Sequence, residues 1–575
     1  MRFFVEKCRI YQKKKLFVVF MGVVILAVIL LGRLIYLTTA KSEYYSSLAT
    51  DLQQRERRLP AARGEILDRN GIVLATNTSV YTISVIHNQI QDPEQVIEVL
   101  SRELNLSEDA VRKRVEKVSS IEKIKGNVDR EVSERILAYG LSGVKVDEDY
   151  RRIYPYHELA SKVLGFTGGD HQGILGLESK YDEYLKGTDG TILTYTDARG
   201  IEVNGKEEQR IEPVTGDSLV TSLDYNIQTY CMQAAQKTYL QKEADGVEII
   251  AMNPQNGEII AMVDYPEYDL CSPFTLTEQY SQYAGTEEEE TYRNYMWRNW
   301  CVSDTYEPGS IFKIVTTSIA LEEDLVSLEE GFYCPGYIVV EDRRIRCHKT
   351  NGHGSETFTT ALYNSCNPVF IDLGMRIGAQ RFYDYMGQFG LLEKTGVDLP
   401  GEAATIMHKP ENIGPVELAT ISFGQSFQVS PIRLMTTVSG LLNGGNEVTP
   451  HVGVKMVDEN GETTRSFSYE SKETICSEET GETLRSLLQG VVEEGGGNKA
   501  YIEGFEIGGK TATSQTLPRS ENKYISAFLG FAPADDPQIL LMVIIRNPKG
   551  AYYGGTIAAP VAREIFENIL PYLDN

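Results

Sequence analysis

"DTYEPGSIFKIVTT", Asp304 to Thr317, is the stretch on which the fold turns. Pro308 and Gly309 break one element, and the apolar run behind them opens another. A helix starting just past the break puts Ser310 in its first turn and Lys313 at i+3 on the same face. A serine hydroxyl is a weak nucleophile until a base removes its proton. A lysine amine is such a base once burial or a nearby cation depresses its pKa. The helix N-terminus supplies free N–H groups where an oxyanion would develop. So short a match is most often only a surface Ser/Lys pair, and the reading needs further elements.

Two lie downstream in order. "NSCNP", 364–368, holds Ser365 and Asn367 as an S-x-N triplet, with Asn367-Pro368 reading as a helix start. "GGKTATS", 508–514, puts Lys510, Thr511 and Thr513 on a strand behind two glycines. S-x-x-K, S-x-N and K-T-G together are the signature of serine acyl-transfer enzymes that react with penicillin. The contexts are those the chemistry needs: helix, turn, strand. Ala512 stands where the third element usually has glycine, on the strand face that carries Lys510.

Around these motifs, "GVEIIAMNPQNGEIIAMVDYP", 246–266, is two apolar runs joined by a turn, which predicts an antiparallel hairpin. Three strand patterns close the chain: "FEIGGKTATSQ", "YISAFLGFAPA" and "QILLMVIIRNP", followed by the amphipathic "APVAREIFENILPYL". Helical spacing dominates 310–445. Strands at both ends with helices between predict an α+β domain, 217–575, whose central antiparallel sheet is flanked by helices. Residues 41–215 show no catalytic cluster and read as a mixed α+β pedestal or docking domain. Within them, Asn70-Gly71 signals a hairpin turn, and 91–140 carries helical spacing. The acidic run "TEEEET", 286–291, reads as a solvated loop.

Leu16–Leu37 is 22 uncharged-to-apolar residues broken only by Arg33 near its end, about 33 Å as a helix. Lys13–Lys15 and Arg9 before it place the N-terminus in the cytoplasm by the positive-inside rule. The expected layout is a cytoplasmic tail at 1–15 and a single-pass membrane anchor at 16–38, with the rest extracytoplasmic. A cleaved signal peptide is the rival reading, and the apolar stretch is long for one.

The chain has 575 residues, 42% hydrophobic and 24% charged, with a net charge of −25. That charge repels phosphate backbones and excludes nucleic acid as a partner. Of the eight cysteines, Cys334 and Cys347 fall near His348 and His353. They lack a paired C-x₂₋₄-C arm, so neither metal nor cofactor is expected.

"ARGEILDRNG", "GILGLESKYDEYLKG", "SDTYEPGSIFK", "NSCNPVFIDLG", "EKTGVDLPGE" and "FGQSFQVSPIRL" extend the resemblance over nearly the whole chain. The sequence resembles the class B penicillin-binding proteins, monofunctional D,D-transpeptidases with a membrane anchor, a pedestal and a transpeptidase domain. It is most similar to their sporulation and elongation types. The resemblance implies that Ser310 attacks the D-Ala–D-Ala carbonyl of a peptidoglycan stem peptide, with Lys313 as base. Ser365 relays a proton to the leaving amine, and Asn367 orients Lys313 and the substrate. Lys510 adds positive potential that keeps Lys313 neutral. Thr511 and Thr513 bind the terminal carboxylate, and the backbone N–H groups of Ser310 and Thr513 form the oxyanion hole. It also implies β-lactams as ligands and a SEDS-type membrane glycan polymerase as partner. A D,D-carboxypeptidase or β-lactamase on the same fold is the nearest rival, and a non-catalytic scaffold or β-lactam sensor the rival from another class.

Cys366 fills the variable place of the S-x-N triplet. Cys334 and Cys347 bracket a strand-like "PGYIVVEDRRIR" before it. Outside the cytoplasm disulfides are permitted. Cys334–Cys347 would staple a loop, Cys347–Cys366 would make a redox pair beside the active site, and all-reduced buried thiols remain a third reading.

Overall fold

The computed structural model describes residues 2–45, 54–119, 121–195, 209–472 and 474–573. Helix α1, Arg2–Thr38, opens the chain. Its stretch Lys13–Thr38 is long and apolar enough to cross a membrane. The described part of the expected tail belongs to the same helix.

The chain divides into two compact units. The first comprises residues up to Ala61, Ser79–Tyr150 and Thr188–Val214. In it, the 91–140 spacing resolves into helices Pro93–Leu104, Glu108–Val115 and Arg130–Ala138, with strand Glu122–Val128 between. Asp92 caps the first helix by accepting from the Gln95 N–H. Val96, Ile97, Leu100 and Leu104 then share the face buried against Ile83, Ile124 and Ile136.

The second unit holds Ala62–Thr78, Arg151–Gly187 and everything from Thr215. Two segments of the 41–215 span, 62–78 and 151–187, therefore count with it. Asn70-Gly71 makes the hairpin expected of it: Ile66 pairs with Ala75, and Gly71 adopts φ +86°. The motifs "ARGEILDRNG" and "GLESKYDEYL" meet through buried ions. Arg63 donates from Nε to Glu178 at 2.6 Å and from Nη1 to Asp182 at 2.7 Å, while Arg152 holds the other Glu178 oxygen at 2.6 Å.

Helix α2, Tyr225–Lys242, leads into strands β1, Gly246–Met252, and β2, Ile259–Tyr265. The helical region follows with α3, Lys313–Glu322, α4, Asn367–Ile377, α5, Pro431–Leu442, and α6, Glu478–Glu493. Strands β3, Gly508–Gln515, β4, Tyr524–Ala532, and β5, Ile539–Arg546, and helix α7, Gly554–Leu573, complete it. The five strands form one antiparallel sheet in the order β2-β1-β5-β4-β3. The first hairpin and the last three strands thus join as the sequence patterns predict.

Both faces of the sheet are covered, which is why β1 and β5 do not alternate and are apolar apart from Glu248 and Arg546, which pair with each other. On one face Ile249, Ala251, Val543 and Ile545 pack with Ile227 of α2 and Ile557, Phe566 and Ile569 of α7. On the other, Ile250, Met262 and Met542 pack with α3 and α5 through Ile314, Val315, Leu434 and Val438. Helix α3 is central to this second core: Ile314, Val315, Ile319 and Ala320 are fully buried.

Two local expectations change. The acidic run is not all loop, because its last residues start helix Glu289–Trp297, where Glu289 pairs with Arg293. "PGYIVVEDRRIR" is not one strand but a hairpin of Tyr337–Val340 and Arg343–Arg346. Its acidic Glu341-Asp342 turn, with Glu341 at φ +53°, breaks the run in the middle.

Candidate active site

The break at Pro308-Gly309 yields a short 3₁₀ turn, Gly309–Phe312, which passes directly into α3 at Lys313. Ser310 sits in that turn and Lys313 starts the helix proper, a tighter entry than the single α-helix expected. Gly309 has φ +57°, and its N–H donates to the Gly424 carbonyl at 2.9 Å. Gly424 itself has φ +87°, and a Cβ there would fall 2.1 Å from the Gly309 oxygen. The "FGQSF" loop therefore lies against the backbone that presents Ser310, and only glycine fits the contact.

Lys313 is fully buried, yet its three donors are directed. Nζ donates to the Ser365 carbonyl at 2.8 Å, to Ser365 Oγ at 3.1 Å and to Asn367 Oδ1 at 2.8 Å. Ser365 adopts φ +53°, an uncommon conformation for a residue with a side chain. Cys366 then caps α4, with Asn367 and Pro368 in its first turn. Lys510, on β3, donates from Nζ to the same Ser365 Oγ at 3.1 Å. One hydroxyl thus bridges two buried lysine amines. Alternation along β3 buries Lys510, Ala512 and Ser514 and leaves Thr511 and Thr513 half-buried. Thr513 Oγ1 accepts from the Gly554 N–H at 2.9 Å, so its own proton is free to donate.

Burial lowers the Lys313 pKa to about 8. The Lys510 pKa falls well below the usual lysine range, first by burial and then by repulsion from Lys313. Like charges repel reciprocally, so at most one of these two buried amines readily holds its proton.

A cleft of about 700 Å³ opens over these groups, lined among others by Ser310, Ser365, Asn367, Thr511 and Thr513. All seven residues expected at the site converge here: Ser310, Lys313, Ser365, Asn367, Lys510, Thr511 and Thr513. Sequence reading missed others. Glu307, just before the break, accepts from the Ser426 N–H at 2.9 Å and from Arg519 at 3.2 Å, tying the "FGQSF" loop and a cleft-lining arginine to the Ser310 turn. The glycines that open α7, Gly554 and Gly555, also line the cleft. The glycine pair ahead of an amphipathic pattern was the available signal.

Cys347 and Cys366 are brought together as free thiols, their sulfurs within 4.8 Å. A hydrogen bond with Cys366 holds the Cys347 thiol well below its usual range, and the same bond with burial pushes Cys366 up. Cys334 and His353 join them, whereas His348 is exposed.

A covered antiparallel sheet and a cleft with a hydroxyl between two buried lysines define a penicillin-reactive acyl-transfer fold. Residues 247–567 match the penicillin-binding protein transpeptidase domain, and residues 58–221 match the penicillin-binding protein dimerisation domain. The chain belongs to the penicillin-binding protein transpeptidase family, in its class B form with a dimerisation domain. It is 40% identical to stage V sporulation protein D of Bacillus subtilis, over 98% of this chain and 86% of that protein. It is 28% identical to the peptidoglycan D,D-transpeptidase MrdA of Acinetobacter baumannii, over 98% and 88%. Among solved structures, a peptidoglycan synthetase from Bifidobacterium adolescentis shares the fold with a TM-score of 0.73 and 21% identity, covering 91% of this chain and 97% of that one.

Proposed function

We propose that the protein is a peptidoglycan D,D-transpeptidase working through an acyl-enzyme on Ser310. The observation that carries this is the single Ser365 hydroxyl shared by Lys313 and Lys510 at 3.1 Å each, on the floor of the cleft that Ser310 lines. Neutral Lys313 takes the Ser310 proton as Oγ attacks the penultimate D-Ala carbonyl. Ser365, in contact with both lysines, passes a proton to the departing D-Ala amine. Asn367 fixes Lys313 through its Oδ1. Thr511 and Thr513 receive the substrate carboxylate, and the N–H groups of Ser310 and Thr513 stabilise the oxyanion. The amine of a neighbouring stem peptide then attacks the ester, frees Ser310 and leaves a cross-link. β-Lactams acylate the same serine and stall there.

In this reading residues 16–38 anchor the chain in the cell membrane with 1–15 in the cytoplasm. Residues 41–215 form the pedestal and 217–575 the extracytoplasmic transpeptidase domain. Anchor and pedestal contact a SEDS-type glycan polymerase, as the family resemblance implies. The apolar stretch at Lys13–Thr38 supports the anchor.

Fluorescent penicillin tests the chemistry on the full chain in detergent. The adduct should map to the peptide containing Ser310, persist for many minutes and vanish in Ser310→Ala. Label lost within seconds points to a hydrolase. Absence of label in the intact chain points to a scaffold, and label retained by Ser310→Ala removes the nucleophile assignment.

A further inference from the structure

Between the S-x-x-K and S-x-N elements lies a buried group that acyl transfer does not use. Cys334, Cys347, His353 and Cys366 each place one donor atom within 4.8 Å of all the others. The three cysteines are at most 2% exposed. Each donor is fixed by a different piece of backbone. Cys334 ends a strand whose partner starts at Gly354, directly after His353. Cys347 closes the 337–346 hairpin, its N–H on the Gly336 carbonyl at 2.9 Å. Cys366 is the N-cap of α4. No C-x-x-C arm is needed, because strand ends and a cap do the gathering, and this is why the spacing did not show the site.

The chemistry of the set is selective. Three thiolates and an imidazole, four donors in all, are the ligands of closed tetrahedral zinc sites, and soft sulfur disfavours magnesium and calcium. Bond lengths of ~2.3 Å to sulfur and ~2.0 Å to nitrogen imply donor–donor edges of about 3.5 to 3.8 Å in a tetrahedron. Cys347 Sγ lies 3.8 Å from His353 Nδ1. A second observation points to a cation. Glu356 is buried, and its Oε1 has no well-formed hydrogen bond while lying 3.8 Å from His353 Nδ1. A buried unpaired carboxylate oxygen is costly unless positive charge is near.

We propose that Cys334, Cys347, His353 and Cys366 bind one Zn²⁺ ion as a closed structural site. With four protein ligands it has no open position, so it takes no part in the chemistry of the ester. Its effect is positional. Cys366 sits between Ser365 and Asn367, and a metal bond at Cys366 pins the turn that holds Ser365 at positive φ against the two lysines. The positional effect rests on the roles given above to Ser365 and Asn367; metal binding does not. Zinc ligation and a Cys347–Cys366 disulfide are mutually exclusive, since both use the same two sulfurs.

The test uses the full chain in detergent, isolated without chelator and under thiol reductant. Elemental analysis should find one zinc per chain, and Co²⁺ exchange should give intense tetrahedral visible bands with thiolate charge transfer in the near ultraviolet. Cys334→Ser and His353→Ala should each lose the ion, and His348→Ala should keep it. Chelation should slow penicillin acylation about tenfold or more, with recovery on adding Zn²⁺. An intact chain that stays metal-free after incubation with Zn²⁺, or a Co²⁺ spectrum without thiolate bands, overturns the site. So does loss of zinc in His348→Ala with retention in His353→Ala, or a resident Cys347–Cys366 disulfide in chains alkylated directly from cells. Stoichiometric zinc whose removal leaves acylation unchanged overturns the positional effect alone. Failure of Ser310 labelling with zinc present would instead count against the acyl-enzyme reading.

Discussion

At the residue scale, two buried lysines on one hydroxyl make the site a proton device. A charged Lys313 cannot accept the Ser310 proton. Its pKa is depressed to about 8, so the neutral fraction grows as pH rises through that value. Penicillin acylation should therefore climb with pH along a single step with its midpoint near pH 8, measured by stopped-flow labelling. Lys313→Met should fold, fail to acylate and show no step. The stability sign is the same. The unfolded chain holds the lysine proton up to its ordinary pKa while the folded chain has released it, so stability rises with pH across that window. The residue types at the site were legible because an S-x-x-K pair, an S-x-N turn and a K-T strand each leave a local pattern. The full burial of both amines was not, since it is set by tertiary packing around them. The cysteine–histidine group was only partly legible: Cys334, Cys347 and His353 stand close in the sequence, but nothing there joined them with Cys366, the cap of α4.

At the scale of elements, the Ser310 turn is held from outside. Gly424 and Gly461 have nearly the same φ, +87° and +82°, but a Cβ at Gly461 meets nothing within 4 Å, while one at Gly424 strikes the Gly309 oxygen. Both alanine variants bear the left-handed backbone penalty, about 1 kcal/mol. Only Gly424→Ala should also displace the Ser310 turn. We expect its acylation rate to fall at least tenfold, with Gly461→Ala close to wild type, by the same labelling assay. The strands were readable from their apolar runs and the 91–140 helices from their spacing. The 3₁₀ entry at Gly309–Phe312 was not, because i+3 spacing fits both a 3₁₀ turn and an α-helix.

At the scale of the whole molecule, the Arg63–Glu178–Arg152 group shows what family-like motifs hold together. Glu178 is fully buried and paired on both oxygens. Removing Arg63 leaves one of them without its ion, and breaking a buried pair costs about 3–5 kcal/mol. Arg152 remains, so Arg63→Ala should sit near the lower end, about 3 kcal/mol, read as an earlier urea midpoint for loss of penicillin labelling. The sequence displayed both halves as motifs. Nothing in either half said that they were partners.

The strand order also sets a timetable. β1 pairs on one side with β2, its neighbour in the chain, and on the other with β5, roughly three hundred residues later: Met252 meets Leu540 and Val247 meets Ile545. During synthesis the first hairpin is made early and waits with its apolar edge unpaired until almost the whole chain has emerged. Open apolar edges recruit other strands. Chains stopped after Ala532 should be recovered as aggregates, while chains lacking only the last turn of α7 stay soluble in detergent. Under the proposed anchoring this waiting period falls at the membrane surface, and the demand for folding assistance should fall on the growing chain before its last forty residues appear.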